Sequence, residues 1–367
     1  MRRLMMVAAL LAVLLGASSK QVHAAGPADV GHVFIIVLEN KGFEQTFGTR
    51  SPATYLNAIL RPQGQLLRQY YGIGHLSLDN YVAMVSGQAP NLITQTDCIL
   101  YLDFVGLPAL GPDGQAIGQG CVYPAFVKTV VDQLEGSGLT WKGYMEGMGN
   151  TPSREPMTCG NPALNSLDVT QSATAEDQYG ARHNPFVYFH SILDPPGRCG
   201  AHVVSLTALD EDLASAATTP NYVFITPDLC HDAHDASCAD GGPGGLVAAD
   251  EFLSEWVPKI LDSDAYKTDG LLIITFDEAD VSPNEPDGAA ACCNEPSGFN
   301  TVLPGLYGPG GGRTGSLLLS PLVEANSTND TPYNHYSLLR SIEDIFCLPP
   351  LGYAANANGF GADVYAP

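Results

Sequence analysis

Residues 31–40 read GHVFIIVLEN. The seven residues from His32 to Leu38 are almost wholly apolar and rich in β-branched side chains. A run of that length without polar alternation predicts a strand buried on both faces, as in a parallel sheet covered by helices on either side. The run stops at Glu39-Asn40, followed by Lys41-Gly42. In open α/β sheets the ligand crevice lies outside the carboxyl ends of the strands, so this carboxylate and amide stand where chemistry is usually done. A turn cap is the plainer reading of the same two residues.

Two further segments repeat the pattern. Tyr222 to Thr226 ends at Pro227-Asp228, and Gly270 to Phe276 ends at Asp277-Glu278. Helical signals separate them. Ser51 and Pro52 suit the N-cap and first position of a helix reaching Leu60, and Ser77 opens a short apolar helix that Gly87 closes. Phe126, Val127, Val130, Val131 and Leu134 keep a helical period, and Leu139 to Tyr144 reads as a strand. A helix over 205–214, a long one over 246–260 and a strand over 317–319 follow. A last helix begins near His335 and turns Leu338, Leu339, Ile342 and Ile345 inward. Strands alternating with helices predict an α/β fold with a doubly wound, mostly parallel sheet and helices on both faces. Loop insertions fall at 88–122, 146–182 and 279–315.

The first 24 residues have a basic start at Arg2-Arg3, an apolar run from Met5 to Leu15 and the small-residue site Val22-His23-Ala24. That is the pattern of a secretory signal peptide cleaved near Ala24, which implies a secreted or periplasmic protein and leaves 25–367 as a single domain. Its removal leaves 13 basic residues against 39 acidic ones, a net charge of −26. Such a surface repels nucleic acid and anionic membranes, and no later apolar run is long enough for stable membrane insertion. Nine cysteines in an exported chain point to disulfides. Near neighbours suggest Cys98 with Cys121, Cys159 with Cys199, and Cys230 with Cys238, and their spacing is not that of a zinc knuckle.

Three strand tips on one sheet edge would gather Glu39, Asp228, Asp277 and Glu278 in one crevice. Carboxylates crowded in a poorly solvated site repel one another, and a divalent cation is the economical remedy. His231, His234 and His335 add nitrogen ligands for a second ion or for proton transfer. Ser77 supplies a hydroxyl at a helix N-terminus, suited to attack on a phosphate that the same backbone N–H groups could hold. Asn80 lies one helical turn on, and His75 two residues before.

These blocks carry a resemblance. HVFIIVLENKGFEQTFG (32–48) resembles the opening motif of the bacterial phosphoesterase family, which includes secreted acid phosphatases and phospholipases C of the alkaline phosphatase superfamily. HLSLDNY (75–81) with Ser86-Gly87 resembles its second block, and also the nucleophile block of nucleotide pyrophosphatases, which places the nucleophile on Ser77. WKGYMEG (141–147), RHNP (182–185), Asp232 with His234, TFDE (275–278) and HYSLL (335–339) are similar to further blocks in the family's order. The resemblance implies that Glu39, Asn40, Ser77, Asp277 and Glu278 surround a metal, while His75, His183, Asp232, His234 and His335 line the phosphate pocket or hold a second ion. Asp79 stands where the family often has Pro, and His231 where it often has Asn, which leaves Asp228, His231 and Asp232 as alternative ligands.

The expected function is therefore a metal-dependent acid phosphatase acting on a small phosphate ester or phospholipid-derived substrate. Ser77 would attack phosphorus through a phosphoserine intermediate, with His183 or His75 as proton donor. A mostly oxygen ligand set suits Mg²⁺, Ca²⁺ or Mn²⁺, and the histidines admit Zn²⁺. A phospholipase C-type phosphodiesterase is the alternative enzyme. A non-catalytic calcium-binding exported protein is the alternative class, and it leaves Ser77 and the histidines without a role.

Overall fold

The computed structural model describes residues 26–235, 237–282, 285–293 and 295–365, so the expected signal peptide lies outside the described residues. Eight strands form the central sheet: β1 (His32–Leu38), β2 (Gln65–Leu67), β3 (Trp141–Met145), β4 (Val203–Ser205), β5 (Tyr222–Thr226), β6 (Gly270–Phe276), β7 (Ser316–Leu319) and β8 (Ser327–Asn329). Their order across the sheet is β8-β2-β7-β6-β1-β5-β3-β4. β1 is parallel to β5 on one side and to β6 on the other. β3 and β4 continue the parallel set, and β7 alone runs against its neighbours β6 and β2.

β1 is buried on both faces, as its composition predicts. Val33, Ile35 and Val37 point into a core shared with α1 (Ser77–Ser86) and the C-terminal helix His335–Ile345. Phe34, Ile36 and Leu38 point into a second core under the long helix Gly245–Asp262. The strict alternation is the two-residue period of a strand, and it makes β1 the wall between the two helical layers. The long helix and the C-terminal helix are labelled α2 and α3.

Local expectations shifted where a distant group intervened. The helix expected over 51–60 begins at Thr54 and has a widened turn over Leu56–Leu60. Its cap is not Ser51. Asp250 of α2 reaches across and accepts the Tyr55 and Leu56 N–H groups at 2.7 and 2.8 Å. The apolar period over 126–134 becomes helical only at Val130–Gly136, where Thr129 and Asp132 form a capping pair with the Thr129 N–H 2.8 Å from Asp132 Oδ2. The segment expected as a helix over 205–214 is a 3₁₀ turn, Leu206–Ala208, and a single α turn, Leu209–Asp212.

α1 ends at Gly87, whose φ of +67° is the left-handed conformation that favours glycine. A Cβ there would sit 2.3 Å from the Leu351 carbonyl oxygen, so the position also demands glycine for space. The three expected disulfides are formed, Cys292 pairs with Cys293, and Cys347 is free and exposed. Among the described residues, no helix is long and apolar enough to cross a membrane.

Candidate functional site

Adjacent parallel strands end together, so β5, β1 and β6 present their tips on one edge of the sheet. The tips are tied by main-chain bonds: the Glu39 N–H donates to the Asp232 carbonyl at 2.6 Å, and the Asp277 N–H to the Leu38 carbonyl at 2.9 Å. Glu39, Asp232, Asp277 and Glu278 are all buried there.

Glu39 is the hub. Ser77 Oγ, on the first residue of α1, donates to Glu39 Oε2 at 2.7 Å. Tyr81 OH, one turn along the same helix face, donates to Oε1 at 2.6 Å. His183 stacks on the Tyr81 ring and sits between two acids, its Nε2 3.4 Å from Glu39 Oε2 and its Nδ1 3.7 Å from Asp232 Oδ2. Burial pushes Glu39 well above the usual carboxylate range and the Asp277 charge adds to it, while the Tyr81 and Ser77 hydrogen bonds oppose both. Burial also raises Asp232, with Glu39 contributing, and Asp277, with Glu278 contributing. Glu278 is raised by burial and then by Glu39. Burial and the neighbouring Arg182 charge hold His183 well below the ordinary imidazole value, so it is neutral.

Asn40 has a φ of +50°, a turn conformation that asparagine tolerates better than most residues. Its N–H donates to Asp277 Oδ1 at 3.0 Å and its side-chain amide to Glu278 Oε1 at 2.6 Å. Asn40 therefore both shapes the turn and binds the next tip. Gly42 makes room for Glu285, whose Oε2 would lie 2.2 Å from a Cβ at that position.

The donor set fits a divalent cation. Asn40 Oδ1, Asp232 Oδ2 and Asp277 Oδ2 are buried without a hydrogen-bond partner, as are both ring nitrogens of His183. Orphaned buried acceptors are costly, and four carboxyls cannot all ionise side by side without positive charge. Arg182 and Lys41 contribute some charge nearby but donate no hydrogen bond to these oxygens.

Several sequence candidates are placed differently. Asn80 Oδ1 accepts the Ile73 and Gly74 N–H groups and its amide donates to the Gly74 carbonyl, so the side chain braces loop 73–76 and is not free for a phosphate. His335 is also spent: Nε2 meets the Asp277 carbonyl and Nδ1 the Tyr70 hydroxyl. It props the β6 tip from behind and is not available as a ligand. His234 is half-exposed and only its N–H touches the crevice acid, donating to Asp232 Oδ1 at 2.8 Å. The Leu78 N–H is taken by Asp97 at 3.0 Å, so not every α1 donor is open to an anion.

Of the three alternatives after the β5 tip, Asp232 faces Glu39, whereas Asp228 and His231 look elsewhere. His231 Nδ1 lies 3.1 Å from Glu146 and 3.2 Å from Asp228, and these two acids, Asp228 foremost, push its pKa up to about 10. A protonated imidazole is not a metal ligand. Asp228, Cys230 and His231 do bring ligand-type atoms together, but the Cys230 sulfur is already bonded to Cys238.

A cleft of about 310 Å³ opens onto this cluster, lined by Asn40, His75, Leu76, Glu278, Asp280 and Tyr307. His75 is buried in its wall, with Nε2 2.9 Å from the Gly288 carbonyl and Nδ1 against the Glu278 carboxyl. Burial lowers its pKa to about 4. Tyr81 and Tyr307 escaped sequence reading. The signal for Tyr81 was its position four residues after Ser77; for Tyr307, inside a Gly- and Pro-rich loop, there was none.

Comparison with known proteins identifies the family and the fold. Residues 58–349 match the model of the Phosphoesterase family, a span that starts after the Glu39 tip and includes Ser77 and Asp277. An acid phosphatase of Aspergillus fumigatus is 26% identical over 80% of the chain, and the chain spans 51% of that relative's length. A phosphatidylinositol-3-phosphatase of Mycobacterium tuberculosis is 24% identical over 96% of the chain and 89% of its own length. The fungal relative carries the likeness beyond the bacterial family expected from the motifs. A crystal structure of Ps i-CgsB in complex with k-i-k-neocarrahexaose is similar in fold, with TM-score 0.50, 15% identity, and 90% and 74% of the two chains covered.

Proposed function

Because this chain belongs to the Phosphoesterase family, we propose that it is a hydrolase of phosphoric esters, an exported, metal-dependent acid phosphatase that cleaves phosphomonoesters through a phosphoserine on Ser77. The observation that carries this reading is the Ser77 Oγ to Glu39 Oε2 hydrogen bond at 2.7 Å, beside a row of buried oxygens without partners. The curated phosphatase relatives support phosphomonoester substrates, and four disulfides support an oxidising compartment.

Asn40, Asp232, Asp277, Glu278 and Glu39 would hold the cation, with His183 left free beside them. When bound, it supplies the positive charge that lets these carboxyls ionise together and eases ionisation of a neighbouring hydroxyl. The chain's own residues then divide the work. Glu39 orients Ser77 and accepts its proton as Oγ attacks phosphorus in line. The phosphorus–oxygen bond to the alcohol breaks and the departing oxygen takes a proton from solvent in the open cleft. Water then attacks the phosphoserine, the bond from phosphorus to Ser77 Oγ breaks, His183 accepts the water's proton and returns it to solvent, and Ser77 recovers its own from Glu39. Tyr81 holds Glu39 in place throughout, and the cleft wall at His75 and Leu76 positions the ester. Positioning and charge supply most of the catalysis that phosphoryl transfer needs.

The test is turnover of para-nitrophenyl phosphate, its bis ester and the phosphorylcholine ester, each with and without chelator. The monoester should be the best substrate, with activity lost on chelation and in Ser77→Ala. Activity that survives either change overturns the mechanism, and preference for the phosphorylcholine ester would favour a phospholipase C-type enzyme.

A further inference from the structure

The chain carries 39 acidic and 16 basic residues, yet four long segments are free of charge, with Asp113 at the turn of a hairpin the one charge between two of them. Residues 80–96, 104–112, 114–127 and 296–312 contain no charged side chain at all. All four segments are joined by hydrogen bonds into one rim. The hairpin of Val105–Leu110 with Ala116–Gln119 meets the 296–312 loop where the Gly118 N–H donates to Asn300 Oδ1 at 2.9 Å and Gln119 Nε2 to the Asn300 carbonyl at 2.8 Å. Gln95 Nε2 reaches the Leu303 and Pro304 carbonyls of the same loop, and the Leu92 N–H reaches Gln119 Oε1.

The rim is apolar and open to solvent. Val302 is 95% exposed, Val105 77%, Leu92 56%, Leu107 55% and Phe299 51%. It is also continuous with the cleft, because Tyr307 belongs to the same loop, is 61% exposed, and packs on His75 with ring centroids 5.6 Å apart. Contiguous exposed apolar surface on this scale marks a binding face.

We propose that this rim docks the protein on a lipid surface and presents the cleft to a phosphomonoester carried on a lipid headgroup; the substrate part of this inference rests on the phosphoesterase reading. The charge pattern selects the occupant. Elsewhere the acidic surface is repelled by lipid phosphates, and this rim, whose hairpin carries Asp113 alone at its turn, is the face on which that repulsion is weakest. Aliphatic side chains and Phe299 can enter the headgroup boundary, as in interfacial binding that depends on apolar area without basic residues. Rising salt should therefore leave docking intact or strengthen it, the reverse of binding through a polybasic patch.

The experiment is flotation of the purified protein with phosphatidylcholine vesicles containing a few per cent of a monophosphorylated lipid, read beside turnover of that lipid and of para-nitrophenyl phosphate. Wild-type protein should float. Leu107→Asp combined with Val302→Asp should cut vesicle binding and lipid turnover at least about tenfold, since two inserted side chains become charged, and leave para-nitrophenyl phosphate turnover unchanged. Failure of the wild type to bind vesicles overturns the docking proposal, as does an equal loss on both substrates. A wild-type dimer in sedimentation that the double variant dissociates also overturns it, and assigns the rim to a second copy. Protein that floats but hydrolyses neither ester overturns the phosphoesterase reading and leaves docking standing.

Discussion

Replacing Tyr81 by Phe tests whether Glu39 is the hub of the crevice. The substitution deletes one hydroxyl, the donor 2.6 Å from Glu39 Oε1. The ring remains, so its stacking on His183 at 5.4 Å and its edge contact with Phe224 at 6.2 Å are kept. A hydrogen bond to a charged acceptor contributes about 1.5–3 kcal/mol, and Glu39 is fully buried, so no water replaces the lost donor. Expressed as transition-state stabilisation, that is a fall in kcat/KM of roughly 10- to 150-fold. The pH dependence has a definite sign. The Tyr81 bond opposes the rise in the Glu39 pKa, so its loss lets Glu39 hold a proton to higher pH, and the acid limb of the rate profile moves upward. The assay is steady-state turnover of para-nitrophenyl phosphate across pH, with a melting curve as control. Unchanged kcat/KM and an unmoved acid limb, in a variant that melts like wild type, would refute the role assigned to Glu39.

Three other outcomes are expected. Ser77→Ala should abolish phosphoryl-enzyme formation, measured by trapping with labelled substrate in acid, while Ser77→Thr retains a hydroxyl and some labelling. In chelator, stability should fall as pH rises, because burial raises the pKa of Glu39, Asp232, Asp277 and Glu278 and the folded protein binds more protons than the unfolded chain above the ordinary carboxylate range. Each tenfold excess in proton affinity contributes about 1.4 kcal/mol to the total fall, and added divalent cation should flatten the pH dependence; a chelated protein equally stable at low and neutral pH refutes the crowding argument. Asp250→Ala should cost about 2 kcal/mol by leaving the Tyr55 and Leu56 N–H groups unpaired, read as a lower denaturation midpoint with kcat on the soluble ester unchanged.

Sequence alone determined the elements whose cause is local. β1, β5 and β6 were legible because a strand covered on both faces must be apolar throughout. α1 was legible because Gly87 closes it, and the disulfides because near cysteines close short loops. The acids at the ends of β1 and β6 could be read as one cluster, since parallel neighbours end on the same edge, whereas at the β5 end Asp228 turns to His231 and Asp232 takes its place. Tertiary structure decided which polar groups remain free there. Asn80 and His335 look like Ser77 and His183 in sequence, yet their hydrogen-bonding atoms are consumed by loop 73–76, the Asp277 carbonyl and Tyr70. His231 is drawn into an ion pair with Glu146 and Asp228, and the cap of the 54–60 turn comes from Asp250, nearly two hundred residues away. The physical reason is the same in each case. A strand or helix follows from its own residues, whereas the availability of a polar atom depends on whichever distant group folding brings to it.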